Sequence, residues 1–339
     1  MKKIVFVLPS LNKGGAEKVM LNLFQNIRNY DKKIIIFDEQ DNYFEGLINF
    51  NNIRLRKNMI KLIRTLHKEK PDIIMASHFH INIFLILLKK LNIIKSKVVV
   101  RQSFTLSSKN INKNRVIRLS KLYRYADLII FQTQNMKNEF ETLLNITFHN
   151  SKVIYNSVDV NEVKSKSDHM EKFYLAVGRL SKVKNFSYLI ESYNKQNSKE
   201  LYPLYIVGKG PEEKQLQALI NKYQLQEKII LIGEVENLGN YYKKTYGLLI
   251  SSLNEGLPNV LLEALSYKCN VIVRKHPGGT EEVLSRIGLL RNFVEDIDFN
   301  FSNIIETQEI HLKNLEENFG SEVIIGQYQR SFKNLLRDE

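Results

Sequence analysis

The feature that most constrains this chain is an alternation. Short runs of β-branched and aliphatic residues recur along its length, separated by stretches with helical periodicity. KKIVFVLPS, KKIIIFDE, PDIIMAS, KVVVRQS and ADLIIFQT fall in the first half, and KFYLAVGRL, YPLYIVGKG, KIILIG, YGLLISS and NVIVRK in the second. Apolar runs that do not alternate with polar residues belong to strands covered on both faces. Helical segments of about 10–20 residues between such runs make βα units and a parallel sheet. The pattern predicts helices from about Gly15 to Ile27, from Arg56 to Glu69, after Lys184, Pro211 and Pro258, and from about Ser321 to Leu336. The series restarts after Asp159, where VDVNEVKSKSDHME is polar and has no apolar period. A chain of 339 residues accommodates two domains of ordinary size. The reading is two doubly wound α/β domains, 1–160 and 161–320, with residues 321–339 packing back onto the first.

Several other classes are excluded. The lone cysteine, Cys269, rules out a disulfide framework and suits a reducing compartment. The apolar run at the start lasts only from Ile4 to Leu8 and breaks at Pro9, with no small-residue cleavage site behind it. Another run, Ile83 to Leu88, is far shorter than the ~18 residues of a membrane span. A soluble, cytoplasmic protein is expected.

The net charge of +14 is unevenly placed. Residues 1–160 hold 27 Lys/Arg against 12 Asp/Glu, a net +15, and residues 161–339 hold 23 against 24, a net −1. The excess is concentrated in NNIRLRKNMIKLIRTLHKEK and KNINKNRVIRLSKLYRY. Such a field attracts nucleic acid, anionic lipid or a phosphorylated substrate, unless it is only a lysine-rich solvated surface. No zinc spacing, RNP-like strand or helix-turn-helix supports nucleic acid, so a membrane surface or lipid phosphate fits better.

Ligands of open parallel sheets bind at the carboxyl ends of the strands, and the loops there are distinctive. Ser10 to Glu17 contains the adjacent pair Gly14-Gly15 at a strand-to-helix turn. Gly178-Arg179-Leu180-Ser181-Lys182-Val183-Lys184-Asn185 carries two cations five residues apart, able to reach one pyrophosphate: guanidinium as a fork, ammonium as a point charge. Ser252 to Glu263 runs from a buried strand through Glu255 and Gly256-Leu257-Pro258 into a helix whose first turn is read to contain Pro258. None of these three residues caps well, which leaves helix N–H groups for a ligand phosphate. Glu263 lies about one and a half turns in. His276-Pro277-Gly278-Gly279-Thr280 opens a further helix.

These residues resemble the glycosyltransferases of family four, which have the GT-B architecture of two Rossmann-like domains facing a central cleft. The resemblance rests on GGAEKV, GRLSKVKN, VGKGPEEKQL, NEGLPNVLLEAL with its Glu-x₇-Glu spacing, and PGGTEEVL. It covers essentially the whole chain and is strongest from Lys152 to Leu284. It implies a nucleoside-diphosphate sugar, expected to be a UDP-sugar, held mainly by the second domain, with no further cofactor and no metal. Arg179 and Lys184 would neutralise the diphosphate, Glu255 would bind donor-sugar hydroxyls, and Glu263 the ribose. The amides of Gly256, Leu257, Asn259 and Val260 would meet phosphate, with Gly178, Gly278 and Gly279 lining the same loops. Gly233-Glu234-Val235 would border the base. From the first domain, Gly14 and Gly15 would close over the phosphates. A histidine near the donor sugar would be His78 or His80 of ASHFHIN, His78 being nearer the strand end.

The resemblance further implies retention at the anomeric carbon, with the leaving phosphate helping to deprotonate the acceptor on the same face. The acceptor is expected to be a glycan hydroxyl, on a polyprenyl-diphosphate intermediate of surface polysaccharide synthesis. The basic first domain would then rest peripherally on the anionic inner face of the cell membrane. Asp296-Ile297-Asp298 matches an Asp-x-Asp metal string but lies away from the glycine loops, and the seven histidines show no zinc spacing. Two rival classes remain: a sugar-nucleotide epimerase of the same architecture, and a non-catalytic nucleotide-sugar or lipid-binding protein.

Overall fold

The computed structural model describes residues 1–11, 14–37, 45–50, 55–106, 113–160, 172–196 and 201–337. Asn12 and Lys13 of the first glycine loop, residues 107–112, and 161–171 of the polar segment between the anticipated domains lie outside the described residues. The chain divides into two compact units, Met1–Asn156 with Glu322–Glu339, and Ser157–Ser321.

The first unit is built on seven strands: β1 (Lys3–Leu8), β2 (Asp31–Ile36), β3 (Leu47–Asn49), β4 (Ile73–Ala76), β5 (Lys97–Arg101), β6 (Leu128–Phe131) and β7 (Ser151–Val153). All pair in parallel, in the order β3-β2-β1-β4-β5-β6-β7. Ile4 to Leu8 of β1 and Ile73 to Ala76 of β4 are wholly buried, as continuous apolar runs between two helical layers must be. The crossovers run through α1 (Gly15–Asn26), α2 (Leu55–Glu69), α3 (Phe79–Lys90), α4 (Lys113–Ser120) and α5 (Gln134–Leu144).

The second unit repeats the plan with β8 (Tyr174–Val177), β9 (Leu204–Val207), β10 (Ile229–Gly233), β11 (Gly247–Ile250), β12 (Val271–Arg274) and β13 (Phe293–Val294). Its order is β10-β9-β8-β11-β12-β13, again parallel. Its helices are α6 (Phe186–Gln196), α7 (Glu213–Lys222), α8 (Gly239–Lys244), α9 (Asn259–Ser266), α10 (Thr280–Ile287) and α11 (Glu309–Phe319). Each sheet has its own apolar core. In both, strand order reverses beside the first strand, between β1 and β4 and between β8 and β11. Such a reversal splays successive loops apart and opens a crevice at the carboxyl ends.

The two ends of the second unit are pinned together. Val158 N–H donates to Phe319 O at 2.9 Å, and Ser321 N–H to Val158 O at 3.2 Å. The last helix, α12 (Ser321–Leu335), then groups with the first unit from Glu322 onward. Its Tyr328 and Phe332 are buried, Phe332 meets the Tyr30 ring edge-on at 6.4 Å, and Lys152 Nζ reaches Ser331 Oγ at 3.3 Å. Arg101, fully buried at the end of β5, donates to Ser77 Oγ at 3.2 Å and to Asn156 Oδ1, beside Tyr328. Among the described residues, no helix is long and apolar enough to cross a membrane.

Candidate functional site

In the second unit the loops after β8, β11 and β12 are laced to one another. Ser251 Oγ donates to the carbonyls of Lys184 and Asn185 at 2.9 and 3.1 Å, and Leu253 N–H to Val183 O at 2.8 Å. This lacing brings together two side chains 71 positions apart: Lys184 Nζ is ion-paired with Glu255 Oε1. Ser252 Oγ donates to the same carboxylate oxygen at 2.6 Å. The Lys184 and Glu255 side chains are only 20% and 14% exposed. Burial alone would raise the Glu255 pKa; the Lys184 charge and the hydrogen bonds from Lys184 and Ser252 outweigh it and hold the group below the ordinary carboxylate range. Glu255 is therefore an ionised hydrogen-bond acceptor at neutral pH, not a proton donor.

Glu255 is also fixed through its backbone. Its N–H donates to Pro277 O at 3.3 Å, and Gly279 N–H donates to Gly256 O at 2.8 Å, so residues 255 and 278 form a parallel bridge. Gly278 has φ +124°, and a Cβ there would lie 1.6 Å from Glu255 O. No other residue type fits that approach. His276, just before this bridge, was not singled out by the sequence. Its Nδ1 lies 2.9 Å from Pro277 O and its Nε2 3.2 Å from Thr280 Oγ1. A carbonyl only accepts, so Nδ1 carries the proton and Nε2 accepts from the threonine hydroxyl. Burial lowers the His276 pKa by more than the hydrogen bond to Pro277 and the Glu255 charge raise it, as suits a neutral ring locked at both nitrogens.

The other anticipated residues of this unit lie just past the ends of β8, β10, β11 and β12 or on the helices that follow. Arg179 is exposed and, among the described residues, has no ion pair or hydrogen-bond partner for its guanidinium. The structure thus separates the two expected cations: Lys184 is engaged by Glu255 and Arg179 is open. The Lys184 methylenes lie over Gly178, where an added Cβ would sit 3.0 Å from Lys184 Cε. Helix α9 begins at Asn259, with Val260 next and Pro258 in the N-cap position rather than inside the first turn. The helix has no side-chain cap, and Leu257 is buried behind its start. Glu263, partly buried on α9, accepts from Tyr242 Oη at 3.3 Å. Gly279 is the N-cap of α10, also without a side-chain cap. Gly233 ends β10, followed by exposed Glu234 and half-buried Val235. Asp296 accepts from Tyr188 Oη at 3.0 Å, and Asp298 accepts from Asn300 N–H and Ser302 Oγ at 2.9 and 2.8 Å. The first ties Asp296 to α6, and the other two brace the turn after Asp298.

In the first unit, Gly14 is the extended N-cap of α1 and Gly15 its first residue. His78 is the N-cap of α3, at the carboxyl end of β4, and His80 is exposed in the first turn of α3. The His78 ring is oriented by a residue the sequence left without a role: its Nε2 lies 3.0 Å from Glu17 Oε1 on α1. Burial pushes the Glu17 pKa up, but the hydrogen bonds from His78 and from its own backbone amide bring it below the ordinary value. His78 was expected from the sequence, but its pairing with Glu17 follows from the neighbouring positions of β1 and β4 in the sheet.

Two family models match the chain: Glycosyltransferase Family 4 over residues 13–162 and Glycosyl transferases group 1 over residues 157–291. The chain is 31% identical over 276 residues to an uncharacterized glycosyltransferase of Methanocaldococcus jannaschii, covering 75% of this chain and 66% of that one. It is 28% identical over 322 residues to a Campylobacter jejuni N-acetylgalactosamine-N,N'-diacetylbacillosaminyl-diphospho-undecaprenol 4-alpha-N-acetylgalactosaminyltransferase, covering 86% of each. HepE of Anabaena, solved with UDP and glucose, has the same fold, with a TM-score of 0.84, 20% identity and coverage of 98% of this chain and 100% of that one. With the two family models running in succession along the paired parallel sheets, the chain belongs to the family 4 glycosyltransferases of GT-B fold.

Proposed function

We propose that this glycosyltransferase moves a sugar from a UDP-sugar to a hydroxyl of a glycan carried on a polyprenyl diphosphate, with retention and without a metal ion. The observation that carries the reading is the Lys184–Glu255 pair at the strand-order reversal of the second sheet. A departing diphosphate needs positive charge, and an oxocarbenium-like sugar needs its hydroxyls held. Arg179 answers the first need directly. Glu255, kept ionised by Lys184, accepts from donor-sugar hydroxyls, and Lys184 adds positive charge behind it. Glu263 takes the ribose hydroxyls. The backbone at Gly178, Gly256, Leu257, Asn259, Val260, Gly278 and Gly279 takes phosphate oxygens, and Gly233, Glu234 and Val235 border the base. Gly14, Gly15 and His78 of the first unit are assigned to the same reaction. The lipid-linked acceptor is supported by the name of the Campylobacter relative.

Binding is tested by thermal shift against UDP-, GDP- and ADP-sugars. A ligand at about 100 times its Kd stabilises the fold by about 2.7 kcal/mol, and UDP-sugars are expected to give the largest shift. Turnover is then followed as UDP release in EDTA, with and without a lipid-linked glycan. Release that needs the acceptor supports transfer. Isomerised donor without acceptor would indicate an epimerase, and binding with no turnover a binding protein.

The basic first unit is assigned to the anionic inner face of the cell membrane. Exposed Leu87, Leu91 and Ile93 at the end of α3 support this, beside Lys90, whose ammonium lies 4.3 Å from the centre of the exposed Tyr125 ring. Apolar side chains among cations suit a headgroup boundary. Co-sedimentation with liposomes is expected to require anionic lipid and to weaken as salt rises; equal binding to neutral vesicles would refute this assignment.

A further inference from the structure

Lys184 is held by Glu255, which leaves Arg179 with the diphosphate unless another cation joins it. The sheet supplies one. The parallel ladder of β8 and β9 continues past both strands: Gly178 N–H donates to Val207 O and Leu180 N–H to Lys209 O, each at 3.0 Å. The second of these bonds sets the backbones of Arg179 and Lys209 opposite each other on the two adjacent loops. The approach depends on Gly208, where φ is +143° and a Cβ would lie 1.9 Å from Gly178 O. Both cations are exposed, and among the described residues neither ammonium nor guanidinium has an ion-pair partner. Glu212 and Glu213 follow closely in the chain but pair with neither. Like charges in register repel, and an anion between them removes the conflict. Lys209 also precedes α7, whose N-cap makes no side-chain hydrogen bond. Such a helix start favours negative charge.

We propose that Lys209 is the second cation on the donor diphosphate, acting with Arg179. This rests on the reading that the second unit holds a nucleoside-diphosphate sugar. The competing role is a base contact, since Lys209 Cε lies 3.9 Å from a Cβ built on Gly233. Isothermal titration of the full chain with UDP, with uridine and with inorganic pyrophosphate separates the two. Lys209→Ala is expected to weaken UDP and pyrophosphate about tenfold, leave uridine unchanged and flatten the salt dependence of UDP binding, while Lys209→Arg keeps most of the affinity. Because Lys209 is exposed, the fold should survive either change, and a melting curve checks this. Unchanged UDP affinity in Lys209→Ala, or equal weakening of UDP and uridine, overturns this proposal alone. If the unaltered chain binds no nucleoside diphosphate, the donor reading falls and this one with it.

Discussion

Glu255→Gln should lower kcat by about 10²–10³-fold, the range found when one group aimed at developing charge is removed. The substitution keeps the shape of the side chain but removes the negative charge that Lys184 and Ser252 hold in place. A neutral amide accepts sugar hydroxyls more weakly and no longer balances the Lys184 ammonium. The distinguishing result lies in binding. Glu255→Ala should keep most of the thermal shift given by UDP and lose the increment that the attached sugar adds. If both parts survive unchanged, Glu255 does not touch the sugar. The pair also stabilises the fold, because removing one member leaves the other half-desolvated. With Lys184 still 20% exposed, the loss should be about 1–3 kcal/mol rather than that of a fully buried pair. The pH dependence has a definite sign. The folded-state pKa of Glu255 lies below its unfolded value of about 4.3, so its stabilisation is complete above that value and disappears as pH falls through the folded-state pKa.

Gly278→Ala should be among the most destabilising single changes in the chain. The methyl group would overlap Glu255 O at 1.6 Å, and φ of +124° is strained for any L side chain. Backbone cannot move aside as a flexible side chain can, so the bridge between residues 255 and 278 must open. A loss of about 3–5 kcal/mol is expected in chemical denaturation, with activity falling in parallel because Glu255 loses its backbone anchor. Near-native stability in this variant would show that the two loops are not bound to each other in solution.

The central strands were legible because each is covered on both faces and so reads as an uninterrupted apolar run. Of the four edge strands, β10 could also be read, as KIILIG; β3, β7 and β13 could not. Leu47–Asn49, Ser151–Val153 and Phe293–Val294 have only two or three residues, too few for an apolar run to stand out, and pairing with a neighbour is what makes them strands. At the site, the glycine loops could be read because tight backbone approach leaves a compositional trace. Side-chain partnerships leave none. Arg179 and Lys184 look equivalent in the sequence, five residues apart on one loop, and only the meeting of the β8 and β11 loops makes Lys184 a partner of Glu255. The same holds for Glu17 with His78, and for the ring of His276, whose two hydrogen bonds define its protonation.

The contact between Val158 and Gly320 has a consequence for how such a chain is organised. The polypeptide leaves the first unit, builds an entire second sheet with its helices, and comes back to the place it left. To the host, that excursion is closed at its base like a short hairpin, whatever its length. Closure entropy grows only with the logarithm of loop size, so the inserted body can lengthen or shorten with little penalty to the scaffold that carries it.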